Sequence, residues 1–207
     1  MAVWSISYIL NAMKKRCTWA GHDPLYIKYH DEEWAVPVHD DTKLFEFIVL
    51  ESAQAGLSWI TILKKRYGYR KAFNNFDVIK VAKMNKKDVE RLMKDDSIVR
   101  NRLKIEATIQ NAKVFIAIQK EFGSFSDYMW SWVNNQPIEN YFKESTEIPS
   151  QTELSKKISK DLKKRGMKFF GPTICYAHMQ ATGLVNDHVA DCFRYAEIVN
   201  KTPSVGK

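Results

Sequence analysis

The sequence predicts an all-α fold, and three observations carry that prediction. No run of alternating apolar and polar residues crosses the chain. Ile98, Ile105, Ile109, Ala112 and Ile116 recur at helical spacing and fall on one face. Helix-start signals stand ahead of the apolar stretches. Asp23 followed by Pro24 gives an N-cap and a first-turn proline. Ser150 with Glu153 forms a capping box ahead of Leu154, Ile158 and Leu162, and Gly166 ends that helix. Residues 136–150 contain two prolines and little periodicity, so they read as a long connection.

The chain has 207 residues, room for one hydrophobic core folded into two lobes. Lys and Arg outnumber Asp and Glu by 32 to 24, a formal charge of +8 that suits a polyanionic partner without requiring one. Three cysteines do not build a disulfide framework, and their odd number favours a reducing compartment, the cytoplasm. Residues 1–12 are apolar, but they lack a basic n-region and are too short to span a bilayer. They read as an extension, with Met13 an alternative start, and no membrane partner is expected.

Beyond Gly166, the short segment 167–173 leads into an apolar helix over residues 174–181. This makes a helix, a hairpin and a helix. Glycines at 166 and 171 let the backbone approach a phosphate, and the second helix presents free N–H groups at its start. Lys163, Lys164, Arg165 and Lys168 surround the hairpin with positive charge. The same pattern also suits an ordinary helix turn with a solvated basic face.

Two pairs have the chemistry of metal ligands. Cys17 and His30 lie near the start, and His188 and Cys192 lie one helical turn apart near the end. A Cys2His2 set matches tetrahedral zinc and leaves no open coordination position, so such a site is structural. Spacing alone also allows two buried cysteines and two unrelated histidines. Cys175 reads as a core residue. Glu51 closes the apolar run 47–50, where a partly buried carboxylate can bind a purine edge, stabilise a cation or acquire a raised pKa. A solvated glutamate is the plainer alternative. Trp19, Tyr26, Tyr29, Trp34 and Trp59 offer faces that can sandwich a base or fill a core.

Read jointly, Cys17-Thr18-Trp19, the stretch 23–31 (DPLYIKYHD), Leu50-Glu51 with residues 54–59, Lys64-Lys65-Arg66 and Gly183-Leu184-Val185-Asn186-Asp187-His188 resemble the 3-methyladenine DNA glycosylase I family from about Cys17 to Cys192. The resemblance implies a helix-hairpin-helix DNA glycosylase fold with one structural zinc joining the termini through Cys17, His30, His188 and Cys192. It implies an extension at 1–16, one glycosylase domain of two helical lobes at 17–195, and a tail at 196–207. Glu51 is implied to contact the methylated adenine, with Tyr29 and Trp59 against the base and Trp19, Trp34 and Tyr26 near it. Gln54, Gly56 and Leu57 are placed at the lesion, in the space vacated by the flipped nucleotide, and Lys168, Gly171 and Thr173 at the DNA backbone. Two departures stand out: Ser52-Ala53 replaces residues the family often has as Gly or Gln, and Ala35 follows Trp34 where Gly is expected.

Helix-hairpin-helix relatives carry a catalytic Asp two positions ahead of a His. Here that position is Asn186. An amide cannot act as a general base, so the resemblance implies another source of rate. A base cationic through N3-methylation is already labile, and a pocket matched to its departure supplies much of what is needed. No Lys occupies the position used by bifunctional relatives, so no lyase step is expected. The implied partner is double-stranded DNA containing 3-methyladenine, bound by a monomer. A broader alkylpurine glycosylase and a non-catalytic zinc-containing damage-binding module are the alternatives; a purely structural zinc protein would leave the basic hairpin unexplained.

Overall fold

Most helices in this chain begin at a short polar side chain that satisfies a free backbone N–H. The computed structural model describes residues 14–199. Asp23 accepts from Leu25 N at 2.9 Å to start α1 (Pro24–Glu32), with Pro24 at its first position. Asp40 starts α2 (Asp41–Gln54), while Ser58 precedes α3 (Trp59–Ala72) without a side-chain cap. Asp77 and Asn85 cap the short α4 (Val78–Ala82) and α5 (Lys86–Leu92). Asn101 and Ser124 cap α6 (Arg102–Phe122) and α7 (Phe125–Ser131). After a connection come α8 (Glu153–Lys164), α9 (Pro172–Ala181) and α10 (Phe193–Val199).

The chain is thus mostly helical, and the structure corrects the sequence reading at several points. The α8 capping box is Thr152 with Ser155: the Thr152 hydroxyl accepts from Ser155 N at 3.1 Å, and Ser155 Oγ accepts from Thr152 N at 2.9 Å. Ser150 lies outside the helix, and Glu153, at its first position, pairs with Lys156 instead. The fold is also not purely helical. Ile138–Glu139 and Val185–Asn186 form a two-residue parallel ladder in the register Ile138 to Val185. These are β1 and β2.

Helix α2 runs through the interior, with ten consecutive buried residues from Leu44 to Ala53. Helices α6 and α9 both pack on it, and α8 packs on α9. Ile105, Ile109 and Ala112 of α6 are buried as their spacing predicts, but Ile98 sits in the turn before the helix, and Ile116 is only half-buried while Ile118 is fully covered. Phe115 stacks on Phe125 at 4.1 Å and meets Phe45 edge-on at 5.3 Å, tying α6, α7 and α2 together.

The two ends of the described stretch also meet. Residues 14–16, assigned to the N-terminal extension, are held: Arg16 grips Asp31 with Nε at 2.9 Å and Nη2 at 2.7 Å, and the Lys15 carbonyl accepts from Phe193 N at 2.9 Å. The rest of that extension, and most of the tail, lie outside the described residues. Among the described residues, no helix is long and apolar enough to cross a membrane.

Candidate active site and metal centre

The site is built on α2, α1 and α9. Glu51 lies on the buried helix α2 and is only 3% exposed. Its Oε2 has no hydrogen-bond partner. Burial without a partner pushes its pKa up from 4.5 to about 8. Glu51 is therefore no solvated glutamate: it faces a pocket of about 360 Å³.

Aromatic rings wall this pocket. Trp19 meets Trp34 edge-on at 4.7 Å and Tyr26 at 5.2 Å, and Tyr29 lies 5.3 Å from Trp59. All five line the cavity with Glu51 and Gln54. The Trp59 Nε1 donor is buried and unpartnered, like Glu51 Oε2. Burial and the nearby Glu51 raise the Tyr29 hydroxyl well above its usual pKa, so it stays protonated.

Sequence reasoning missed most of the opposite wall. Thr173, expected at the DNA backbone, lines the pocket together with Tyr176, Ala177 and Gln180, which that reasoning did not single out. Their spacing of three, four and seven is one stripe of α9, a signal present in the sequence. Ser145, Ile148, Pro149 and Ser150, from the connection between β1 and α8, complete the rim. Nothing in the local sequence of that connection points to it.

Behind the aromatic wall, Cys17, His30, His188 and Cys192 converge, all buried, with one donor atom from each within 4.8 Å of the others. Cys17 Sγ to His188 Nδ1, Cys192 Sγ to His188 Nδ1 and Cys192 Sγ to His30 Nε2 are each 3.5 Å. A tetrahedron with the usual zinc–sulfur and zinc–nitrogen bond lengths has sulfur-to-nitrogen edges of about 3.5 Å, so the donor set fits a metal. The two cysteines are free thiols. Cys17 and the two imidazoles hold the Cys192 thiol well below its usual pKa, and Cys17 is pushed up in return.

The sequence matches the model of the Methyladenine glycosylase family over residues 19–195. The chain belongs to the methyladenine glycosylase family. It is 54% identical over 181 residues to DNA-3-methyladenine glycosylase 1 of Escherichia coli (strain K12), covering 87% of this chain and 97% of that protein. It is similar to a crystal structure of 3-methyladenine DNA glycosylase I, with a TM-score of 0.84 and 52% identity over 86% of this chain and 98% of that one. A tyrosine-to-phenylalanine variant of 3-methyladenine DNA glycosylase I in complex with 3-methyladenine also gives a TM-score of 0.84, at 39% identity over 86% of this chain and 96% of that one.

In this methyladenine glycosylase family member, the residues expected at DNA divide into three groups. Gln54 and Thr173 line the pocket. Gly56, at φ +81°, and the 41% exposed Leu57 form the open turn between α2 and α3, braced by Lys104, whose ammonium donates to the carbonyls of Ala53 at 2.8 Å and Ala55 at 2.6 Å. Lys168 and Gly171 lie on the exposed turn joining α8 to α9. Of the four cations expected around that turn, Arg165 is occupied by Glu121 and Asp161, while Lys163, Lys164 and Lys168 are exposed. Ala35 occupies the left-handed region at φ +61°, which explains why glycine suits the position. Asn186 is buried in β2 and does not line the pocket.

Proposed function

We propose that the chain is a DNA-3-methyladenine glycosylase that hydrolyses the N-glycosidic bond of 3-methyladenine in alkylated double-stranded DNA after the nucleotide flips into the aromatic pocket. The observation that carries this reading is Glu51: a buried, unpartnered carboxyl group at an open cavity walled by five aromatic side chains. Burial makes that carboxyl group costly to ionise, and a cationic base repays the cost. The faces of Trp59 and Tyr29 add cation–π attraction.

N3-methylated adenine in DNA carries a positive charge. When the C1′–N9 bond breaks, the electron pair leaves with the base, which departs neutral, and positive charge moves to the sugar. Water adds to C1′ and loses one proton. Glu51 selects and orients the base, and its carboxylate compensates the positive charge. The amide at Asn186 performs no general-base step, and the reaction ends without strand cleavage.

A helix-hairpin-helix arrangement is supported by α8 and α9, whose connecting turn leaves Lys168 and Gly171 open to a phosphate. Gln54, Gly56 and Leu57 fill the gap left by the flipped nucleotide. One structural zinc is held by Cys17, His30, His188 and Cys192 and pins the two chain ends behind the pocket. The protein acts as a monomer in the cytoplasm.

The test is release of free bases from methylated duplex DNA, resolved by chromatography, with the wild-type protein and Glu51→Gln. Release of 3-methyladenine that the variant loses supports the reading. Release of 7-methylguanine as well would favour a broader alkylpurine glycosylase. No release by a folded, metal-loaded protein would leave a damage-binding module.

A further inference from the structure

Asp187 is fully buried between the strand ladder and the pocket wall. Its carboxylate accepts three side-chain hydrogen bonds: from Asn140 Nδ2 at 2.7 Å on Oδ1, and from Tyr176 OH at 2.6 Å and Gln180 Nε2 at 2.7 Å on Oδ2. Tyr176 and Gln180 stand one turn apart on α9, and both line the pocket. Asp187 itself does not, so it acts only through its neighbours.

A carboxylate can accept but cannot donate. The Gln180 amide must therefore turn its NH₂ toward Asp187, which leaves Oε1 as the end available to the pocket. The Tyr176 hydroxyl, its pKa raised by burial and by Asp187, is likewise fixed as a donor to the carboxylate. Beside the unpartnered Trp59 Nε1 donor, the pocket then offers two acceptors, the unpartnered Glu51 Oε2 and the Gln180 Oε1 end that Asp187 leaves over. Adenine carries an exocyclic amine where guanine carries a carbonyl oxygen. Two acceptors suit the amine and repel the carbonyl.

We propose that Asp187 is a positioning residue that fixes the Gln180 amide and thereby makes the pocket choose 3-methyladenine over 3-methylguanine. The proposal rests on the glycosylase reading for its substrate. It does not depend on turnover, because base choice is also visible in binding.

Two readouts test it on the full chain. One is chromatographic release of 3-methyladenine and 3-methylguanine from duplex DNA carrying both lesions; the other is quenching of tryptophan fluorescence by each free base. Asp187→Asn provides a donor that lets the Gln180 amide turn over, and it is expected to lower the preference for 3-methyladenine about tenfold in both readouts, the loss of one good hydrogen bond. Gln180→Met leaves Asp187 in place, removes the acceptor and shifts the preference the same way, so the test stands if Asp187→Asn does not fold. A merely structural role would weaken both bases in step. Equal losses for the two bases, or an unchanged preference in folded variants, overturn the proposal. A wild-type protein that prefers 3-methyladenine in binding and releases neither base would overturn the glycosylase reading and support the role of Asp187.

Discussion

Trp34 holds His188 from two directions: its indole meets the imidazole edge-on at 4.7 Å, and its backbone carbonyl accepts from Nε2 at 3.3 Å. That bond leaves Nδ1, the atom 3.5 Å from both cysteine sulfurs, as the free donor to a metal. His30 is oriented the opposite way. Its Nδ1 pairs with Asp31 at 2.8 Å, and Asp31 is gripped in turn by Arg16. The same Trp34 lines the aromatic pocket, as does Trp19, which follows Cys17 by two residues. The pocket wall and the Cys17, His30, His188 and Cys192 cluster are one structure.

Removing a ligand should therefore damage both. Cys192→Ser is expected to lose stoichiometric zinc and at least about 3 kcal/mol of stability, because three buried polar groups then lack their partner. Quenching by free 3-methyladenine should weaken as Trp34 and Trp19 loosen. Metal analysis with thermal unfolding checks this. Unchanged metal content and melting would remove zinc from the account.

Glu51 sets stability against function. Its pKa rises from 4.5 unfolded to about 8 folded, so between these values the folded state holds a proton that the unfolded state has lost. Stability then falls as pH rises through that window. Glu51→Gln removes the penalty. The variant is expected to match wild type near pH 4.5 and to exceed it increasingly toward pH 8, by up to about 4 kcal/mol, while excision collapses. Denaturant unfolding at several pH values reads this, and parallel curves would show that Glu51 titrates normally.

How much of this could be seen in the sequence depends on how local each signal is. Asp23 and Pro24 form their cap within one turn, and the Cys17, His30, His188 and Cys192 set is marked by rare residue types. The run of apolar residues before Glu51 marks a helix buried all round. The α8 cap was misplaced by two residues because Thr152 pairs with Ser155, a short partner, where the pattern favours Glu or Gln. Arg165 looks like a phosphate ligand until Glu121, on another helix, is seen to hold it at 2.6 Å. The Ile138 to Val185 ladder and the Asp187 network join residues whose partners have no local mark, so only folding reveals them.

Two side chains hold the turn between α8 and α9. Asn111 Nδ2 donates to the Lys168 carbonyl at 2.9 Å, and its Oδ1 accepts from Lys168 N at 2.7 Å. Ser159 adds a bond to the Phe170 carbonyl at 2.8 Å. Asn111→Ala is expected to cost about 1–3 kcal/mol for two lost hydrogen bonds. It should weaken binding to duplex DNA while leaving the free-base affinity unchanged, since no residue of the turn from Arg165 to Phe170 lines the pocket. Lys168→Ala should reduce the salt dependence of DNA binding by about one phosphate contact. Equal DNA affinity in wild type and both variants would place the DNA elsewhere.

Gly183 leaves no room for a side chain. It lies in the left-handed region at φ +72°, and an added Cβ would sit 2.4 Å from Val36 C and Pro37 N, both backbone atoms. That segment is hydrogen-bonded to the end of α9 on both sides: Ala35 N donates to the Gln180 carbonyl at 2.9 Å and Val38 N to the Thr182 carbonyl at 3.0 Å. A side chain at 183 must push residues 36 and 37 away, breaking these bonds and displacing the adjoining Trp34 from both the pocket and the Cys/His cluster. Gly183→Ala is expected to cost about 3–5 kcal/mol, enough to leave much of the protein unfolded at physiological temperature. Soluble yield and thermal unfolding test it, and a variant with wild-type melting would show that the chain from Trp34 to Val38 can yield without loss.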